Sequence, residues 1–180
     1  MTGDEVVAWL ASIFPGVSLT LIDATPVAHA THNGRPLAVT AGFSSVDSGL
    51  VTDDGAATSV RCEIVCTADT SLDVLGSAVV ATARELERLA VPAQPGVLLE
   101  GVLEGIGAPE ETTVRHAYLR EPQLFAQGTP MYTEPGQLTL LLELVGLTDD
   151  EFAVGSEQGA AVLDRRLRRR GVDLADWARS

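Results

Sequence analysis

Lysine is absent from this 180-residue chain, so all 12 of its basic residues are arginines. Aromatic residues make up only 4% of the sequence. Long apolar runs are also missing, since the longest, Gln137–Gly146, has about half of the roughly 20 residues that cross a bilayer. Residues 1–15 lack the basic start and the continuous apolar stretch of a signal peptide. We therefore expect a soluble, cytoplasmic protein that does not bind membranes.

Cysteine is scarce as well, and the two cysteines lie in one segment that alternates as a strand does. Extended chain separates the Cα atoms of Cys62 and Cys66 by roughly 13 Å, which is beyond disulfide reach. We interpret both as buried thiols, which behave as small apolar side chains. A metal-binding C-x-x-x-C pair is the alternative, but no second ligand pair follows at the spacing of metal sites. The sequence therefore predicts no disulfide, no metal site and no cofactor.

Acidic residues are abundant, and they give the chain a formal charge of −13. The basic residues concentrate near the end, where residues 165–170 contain five arginines. An acidic surface argues against nucleic-acid and anionic-membrane binding, because both need cationic contacts. It favours the steering of a basic partner, with simple solubility as the alternative explanation.

The segment Gln137–Arg170 predicts the core of the fold. Its apolar run reads as a central strand that is buried on both faces. Thr148 and Glu151 fit a capping box at the start of the next helix. A further helix, 160–170, should end at Gly171 in the left-handed conformation.

The remaining chain predicts strands and helices that do not strictly alternate. A first helix should start at Thr2 or Asp4 and run to about Phe14, and a second should begin at a Thr70–Asp73 capping box and end at Pro92. Asn33-Gly34 indicates a hairpin between strands near 26–32 and 36–42. Other strands are expected at 17–23, 59–67, 97–102 and 113–121, with 122–136 as a connection. We predict a single α+β domain over 1–180, in which a mixed, largely antiparallel sheet of about six strands packs against three to four helices.

None of the motifs that suggest catalysis or ligand binding is complete. The glycines between 96 and 107 lack G-K-[ST] and are accompanied by Glu100 and Glu104, which would repel phosphate. Ser44 and Ser45 are not part of a G-x-S-x-G turn, so a serine hydrolase is only a remote alternative. His29 and His32 should face opposite sides of a strand, and His116 reads as a half-buried structural histidine. We interpret the arginines of 165–170 as a solvated helix end that pairs with the chain's own carboxylates.

Several strings, in this order, resemble the bacterial suppressor of fused family. They are IFPG, PLAVTAGFSS, RCEIVCT, PGVLLEG and QLTLLLELVGLTDDEFAVGSEQGAAVLDRRLRRRGVDLAD. The similarity covers essentially the whole chain, although Ala41-Gly42-Phe43-Ser44 replaces a more usual Thr-x-Gly-hydrophobic-Ser. The resemblance implies a mixed α+β fold and protein binding without a known enzymatic activity. Eukaryotic relatives clasp a peptide as an added strand, and many bacterial relatives are thought to be immunity proteins that neutralise a toxin domain.

Two functional hypotheses follow from the resemblance and the charge. The first is a non-catalytic immunity protein whose acidic loops bind a basic toxin domain. The second is a regulator that clasps a peptide along an exposed strand edge. The candidate partner contacts for the first are Asp53, Asp54, Glu104, Glu110 and Glu111.

Overall fold

The computed structural model describes residues 1–53 and 57–180, in which four α-helices and eight β-strands are found. The helices are α1 (Gly3–Ile13), α2 (Leu72–Leu89), α3 (Asp149–Gln158) and α4 (Ala160–Arg170). The strands are β1 (Ser18–Ile22), β2 (Thr25–His32), β3 (Arg35–Thr40), β4 (Ser59–Thr67), β5 (Leu98–Leu99), β6 (His116–Arg120), β7 (Met131–Glu134) and β8 (Gln137–Leu147). A short 3₁₀ turn, Phe43–Ser45, follows β3. The predicted α+β class is confirmed, with two more strands than the six expected.

One mixed sheet contains all eight strands. Its order is β1-β2-β3-β4-β8-β6-β5, and β7 also pairs with β8. The β4–β8 pair is parallel and every other pair is antiparallel. The predicted largely antiparallel sheet is therefore confirmed.

Strand β8 occupies the centre of the sheet. Its first half pairs with β4 on one side and β7 on the other, and its second half pairs with β6. The seven residues 141–147 are all buried. Leu142 contacts the core beneath α2, whereas Leu141 contacts the core beneath α1. The prediction of a central strand buried on both faces is correct.

The helices cover both faces of the sheet. On one face, α2 packs Leu75 and Val79 against Ile64 of β4 in the largest apolar cluster. On the other face, α1 packs Leu10 against β2 and β3. Helices α3 and α4 enclose a smaller cluster over the ends of β6 and β8. None of the four helices in the described ranges is both long and apolar enough to cross a membrane.

Local sequence signals explain most of the helix ends. A capping box starts α3 at Thr148, as predicted, and Gly171 ends α4 with a positive φ of 63°. Helix α1 starts at Thr2, one of the two expected starts, where a further capping box is found. The Asn33-Gly34 hairpin between β2 and β3 is also present.

Four local predictions were wrong. Helix α2 is capped by Ser71, whose hydroxyl accepts the Val74 N–H, and not by a Thr70–Asp73 box. It ends at Leu89, earlier than Pro92, because Ala90 adopts the left-handed conformation. The strands expected at 97–102 and 113–121 shorten to β5 and β6. The connection 122–136 contains β7, which a turn at Pro135-Gly136 joins to β8.

A buried arginine near the end of the sequence fastens α3 to the sheet. The Arg179 guanidinium donates to both carboxylate oxygens of Glu151, at 3.1 and 2.8 Å, and to the carbonyl of Gly146. Thr113 donates to the carbonyl oxygens of Trp177 and Arg179. The segment around Arg179 therefore ties β8, α3 and the start of β6 together.

Candidate functional site

The predicted partner contacts fall into two separate places. Glu104, Glu110 and Glu111 are exposed in the loop between β5 and β6. Asp53 is exposed beside the first residues of β4 and β8, near the bridge between Val51 and Ser59. The loop is anchored near the other end of β8, where His116 pairs with Leu147. Because β8 has 11 residues, the two places are roughly 30 Å apart, and Asp54 lies outside the described residues.

The acidic loop, which we define as residues 100–112, is held by its backbone and by apolar side chains. The Leu103 N–H donates to the Arg115 carbonyl at 2.9 Å, and the Leu103 side chain is buried. The Gly101 N–H donates to Nδ1 of His116 at 2.9 Å. Val102, Ile106 and Ala108 pack on the core beneath α2. The loop therefore presents its charged residues from a fixed position.

His116 links the acidic loop to the start of α3. Because its Nδ1 accepts the Gly101 N–H, the proton of the neutral ring lies on Nε2. Nε2 is 3.0 Å from Oδ1 of Asp149, and the ring stacks on Phe152 with centroids 4.2 Å apart. The prediction of a satisfied structural histidine agrees with these contacts. Sequence patterns do not indicate Asp149 as the partner, because the two residues belong to different elements.

The acidic loop carries negative charge that nearby arginines do not neutralise. Within residues 1–53 and 57–180, no arginine lies within ion-pair distance of Glu100, Glu104, Glu110 or Glu111. The neighbouring Arg115 instead pairs with Asp149 at 3.4 Å. Four exposed carboxylates on an anchored loop form a surface that suits a cationic partner.

The expected pairing of the α4 arginines with carboxylates is not observed. In the part of the chain that the structure describes, none of the five arginines at 165–170 lies within 4.0 Å of a carboxylate. Arg168 instead donates to the backbone carbonyl of Asp164 at 3.3 Å. The helix dipole stabilises these cations at the C-terminus of α4, even without a side-chain partner.

Both serines considered for hydrolysis make other contacts, as do His32 and His116. Ser44 is buried and donates its N–H to Glu63, and Ser45 Oγ donates to the Gly42 carbonyl at 2.7 Å. Nε2 of His32 contacts the Leu124 carbonyl. No described histidine is hydrogen-bonded to either serine, so the nucleophile and base of a hydrolase are not joined.

Glu63 is the buried carboxylate that holds the 3₁₀ turn. It accepts the hydroxyl of Thr40 at 2.5 Å and the N–H groups of Phe43 and Ser44 at 3.0 Å each. Burial raises the pKa of Glu63, and the hydrogen bonds that it accepts, chiefly from Thr40 and Ser44, oppose that rise. These donors all belong to the chain itself, so the role of this carboxylate is to hold the 3₁₀ turn against β4.

The described residues do not assemble a metal site. No group of three or more histidine, cysteine or acidic side chains converges within them. Cys62 and Cys66 are free and buried, as their interpretation as thiols requires. Burial raises the pKa of both thiols, which keeps them protonated and poor metal ligands.

Comparisons with known proteins agree on one family and one fold. The model of the suppressor of fused protein (SUFU) family matches residues 26–180, whereas curated protein sequences gave no match. A suppressor of fused homologue from Neisseria gonorrhoeae FA 1090 has a TM-score of 0.73 and 12% identity, and the alignment covers 99% of this chain and 94% of that one. The structure of the Sufu–Fu complex has a TM-score of 0.66 and 11% identity, and the alignment covers 97% of this chain and 87% of that one.

Drosophila Suppressor of Fused has the same fold in part of a longer chain. Its TM-score is 0.65 at 10% identity, and the alignment covers 97% of this chain but 47% of that one. At such identities the structural likeness shows the fold alone, and the family rests on the sequence model. Because that model covers most of the sequence, this chain belongs to the suppressor of fused protein (SUFU) family.

Proposed function

We propose that this chain is a non-catalytic protein-binding domain. Family membership supports this role, since a structure with the same fold was solved as the Sufu–Fu complex. No described histidine is hydrogen-bonded to either candidate serine, which also supports a role without catalysis. The same proposal includes a cytoplasmic location and a single domain. It also holds that the chain binds no cofactor, nucleic acid or membrane.

The partner is a basic protein, and a toxin domain that this chain neutralises is the partner class we propose. The acidic loop carries this proposal, because its exposed glutamates stand on an anchored backbone and no arginine of the described residues lies within ion-pair distance of them. Glu104, Glu110 and Glu111 would contact the partner, and Asp53 and Asp54 would contact it only if it extends along β8. Opposite charges would accelerate capture, and salt would reduce the association rate.

Neutralisation is tested first in cells. The probe is the C-terminal domain of a secreted protein encoded beside the gene for this chain. Expression of that domain should stop growth, and co-expression of this chain should restore it. If no neighbouring domain is toxic, or if growth is not restored, the immunity role is wrong.

The acidic loop is tested by charge reversal with a matched control. The E110R/E111R variant should bind the same domain with an association rate about tenfold lower at low salt, with a weaker salt dependence. The control E87R/E157R changes the net charge equally at exposed positions away from the loop, and its rate should change much less. Equal losses in both variants would show that net charge, and not the acidic loop, governs binding.

A further inference from the structure

Strand β1 forms an open edge of the sheet. Among the described residues it pairs only with β2, through a two-residue turn in which Asp23 and Ala24 have φ of 48° and 66°. Ile22 and Thr25 flank this turn and form a hydrogen-bonded pair. The alternation of an antiparallel ladder then directs the N–H and C=O groups of Thr20 toward β2 and those of Leu19 and Leu21 away from it. Two leucines therefore offer four free backbone groups at this edge.

The side chains of the same two leucines are exposed on the face that α1 covers. Leu19 is 49% exposed and Leu21 is 71% exposed. They stand opposite Ala28 and Pro26 of β2, and Ala28 belongs to the core beneath α1. A shallow cavity of about 420 Å³ separates them from the first turn of α1. Helix α1 thus stops short of the edge and leaves an apolar strip beside the free backbone groups.

The edge lacks the features that usually prevent strands from pairing between molecules. Its sequence, SLTLI, contains no charge and no proline, and it pairs with β2 without a bulge. The strand at the other end of the sheet, β5, has only two residues and is contacted by α3. At the turn, Arg84 holds Asp23 through its carboxylate at 2.8 Å and its carbonyl at 2.7 Å. The hairpin is therefore fixed to α2 while its outer edge stays open.

We propose that two copies of this chain pair along β1 about a twofold axis that passes between their Thr20 residues. In this antiparallel register, Leu19 of each copy lies opposite Leu21 of the other. All four free backbone groups of each edge are then used, which gives four hydrogen bonds across the interface. Both leucine pairs become cross-strand apolar contacts. The contact is isologous, so it closes as a dimer.

The β1 edge is complementary to itself, so a second copy of this chain can pair with it. Leu19 and Leu21 are placed symmetrically about Thr20, and no charged side chain of β1 meets its counterpart. The remaining surface opposes association, because each copy carries a formal charge of −13. Salt should therefore tighten the dimer. Capture of a basic partner has the opposite salt dependence, so this inference stands apart from the proposed function.

The first test is the mass of the full chain in solution by sedimentation equilibrium. We expect a mass approaching twice the 18.9 kDa of one chain and a dissociation constant that falls when NaCl is raised. Leu21→Lys should raise that constant at least tenfold. Leu89→Lys makes the same change at a leucine on α2 that is 45% exposed, and it should leave the constant unchanged. A wild-type chain that stays monomeric at high salt and high concentration would overturn the inference, as would equal effects of the two variants.

The second test determines the register in which the two β1 strands pair. In the proposed dimer the two Thr20 residues form a non-hydrogen-bonded pair with Cα atoms about 4.5 Å apart, within disulfide range. Thr20→Cys should therefore form a covalent dimer under mild oxidation. Ser18→Cys points to the same face but would lie opposite Ile22 of the second copy, so it should crosslink much more slowly. Equal crosslinking of the two variants contradicts the proposed pairing, even if a dimer forms.

Discussion

At the scale of single residues, the burial of His29 makes the stability of the fold depend on pH. It lies on β2, 5% exposed, with its ring toward Gly76 of α2. Its Nε2 atom has no hydrogen-bond partner among the described residues. Burial lowers the pKa of His29, and the carboxylate of Asp73 opposes this only in part. The folded protein therefore holds the ring neutral, although the alternating pattern of β2 alone did not show how closely α2 approaches.

This residue predicts a loss of stability in mild acid. The unfolded chain binds a proton at His29 near pH 6.5, whereas the folded chain binds it only at lower pH. The free energy of unfolding therefore falls as the pH decreases below about 6.5. His29→Leu should remove this part of the decline. Urea titrations from pH 7.5 to 5.5 measure it.

The comparison between the wild type and the leucine variant isolates His29. Other titrating groups, including Glu63, contribute nearly equally to both proteins. The leucine variant should therefore gain stability relative to the wild type as the pH falls. A difference that is constant across this range would show that His29 is not held neutral by the fold.

At the scale of elements, sequence patterns succeeded where short-range physics decides the outcome. The Thr148 capping box, the Asn33-Gly34 hairpin and the central apolar strand depend on neighbours within a few residues. Strand β7 was missed because its four residues are stabilised by pairing with β8 and by the contact of Tyr132 with Trp9 of α1, and the local pattern does not show this contact with α1. The contact between His116 and Asp149 likewise depends on where β6 and α3 meet. Of the candidate contacts, the sequence identified which residues are charged, but only the fold separated Asp53 from the acidic loop.

The start of α2 gives a prediction for a helix cap. Ser71 accepts the Val74 N–H at 3.3 Å, whereas Thr70 lies one residue before the cap. Ser71→Ala should lower the free energy of unfolding by about 1 kcal/mol. Thr70→Ala is the matched control and should have a much smaller effect. Urea denaturation of the two variants distinguishes them, and a larger loss at Thr70 would contradict the cap assignment.

At the scale of the whole molecule, the charge distribution sets how the chain meets other molecules. The chain as a whole is strongly acidic, while α4 presents five arginines without carboxylate partners in the described residues. The net charge of −13 promotes solubility and also destabilises the compact state through self-repulsion. Most of that repulsion acts between exposed groups, which salt screens over about 10 Å at 0.1 M.

Salt should therefore stabilise the folded chain. Raising NaCl from 20 to 500 mM should increase the free energy of unfolding by about 1 kcal/mol, or the melting temperature by about 2–4 °C. Measurement on Leu21→Lys at low concentration separates this effect from association along β1. E87Q/E157Q carries two fewer negative charges and should gain less from salt. A melting temperature that falls with NaCl would mean that attractive pairs dominate the surface.

The position of Arg179 has a consequence for folding during synthesis. Strand β4 is made early, but its parallel partner β8 and the arginine that fastens α3 to β8 emerge from the ribosome much later. The hairpins β1–β2 and β2–β3 need only local chain, so they can form first. Until β8 arrives, the edge of β4 that pairs with it remains uncovered. The nascent chain therefore passes through a stage in which a folding helper that shields strand edges would raise its yield.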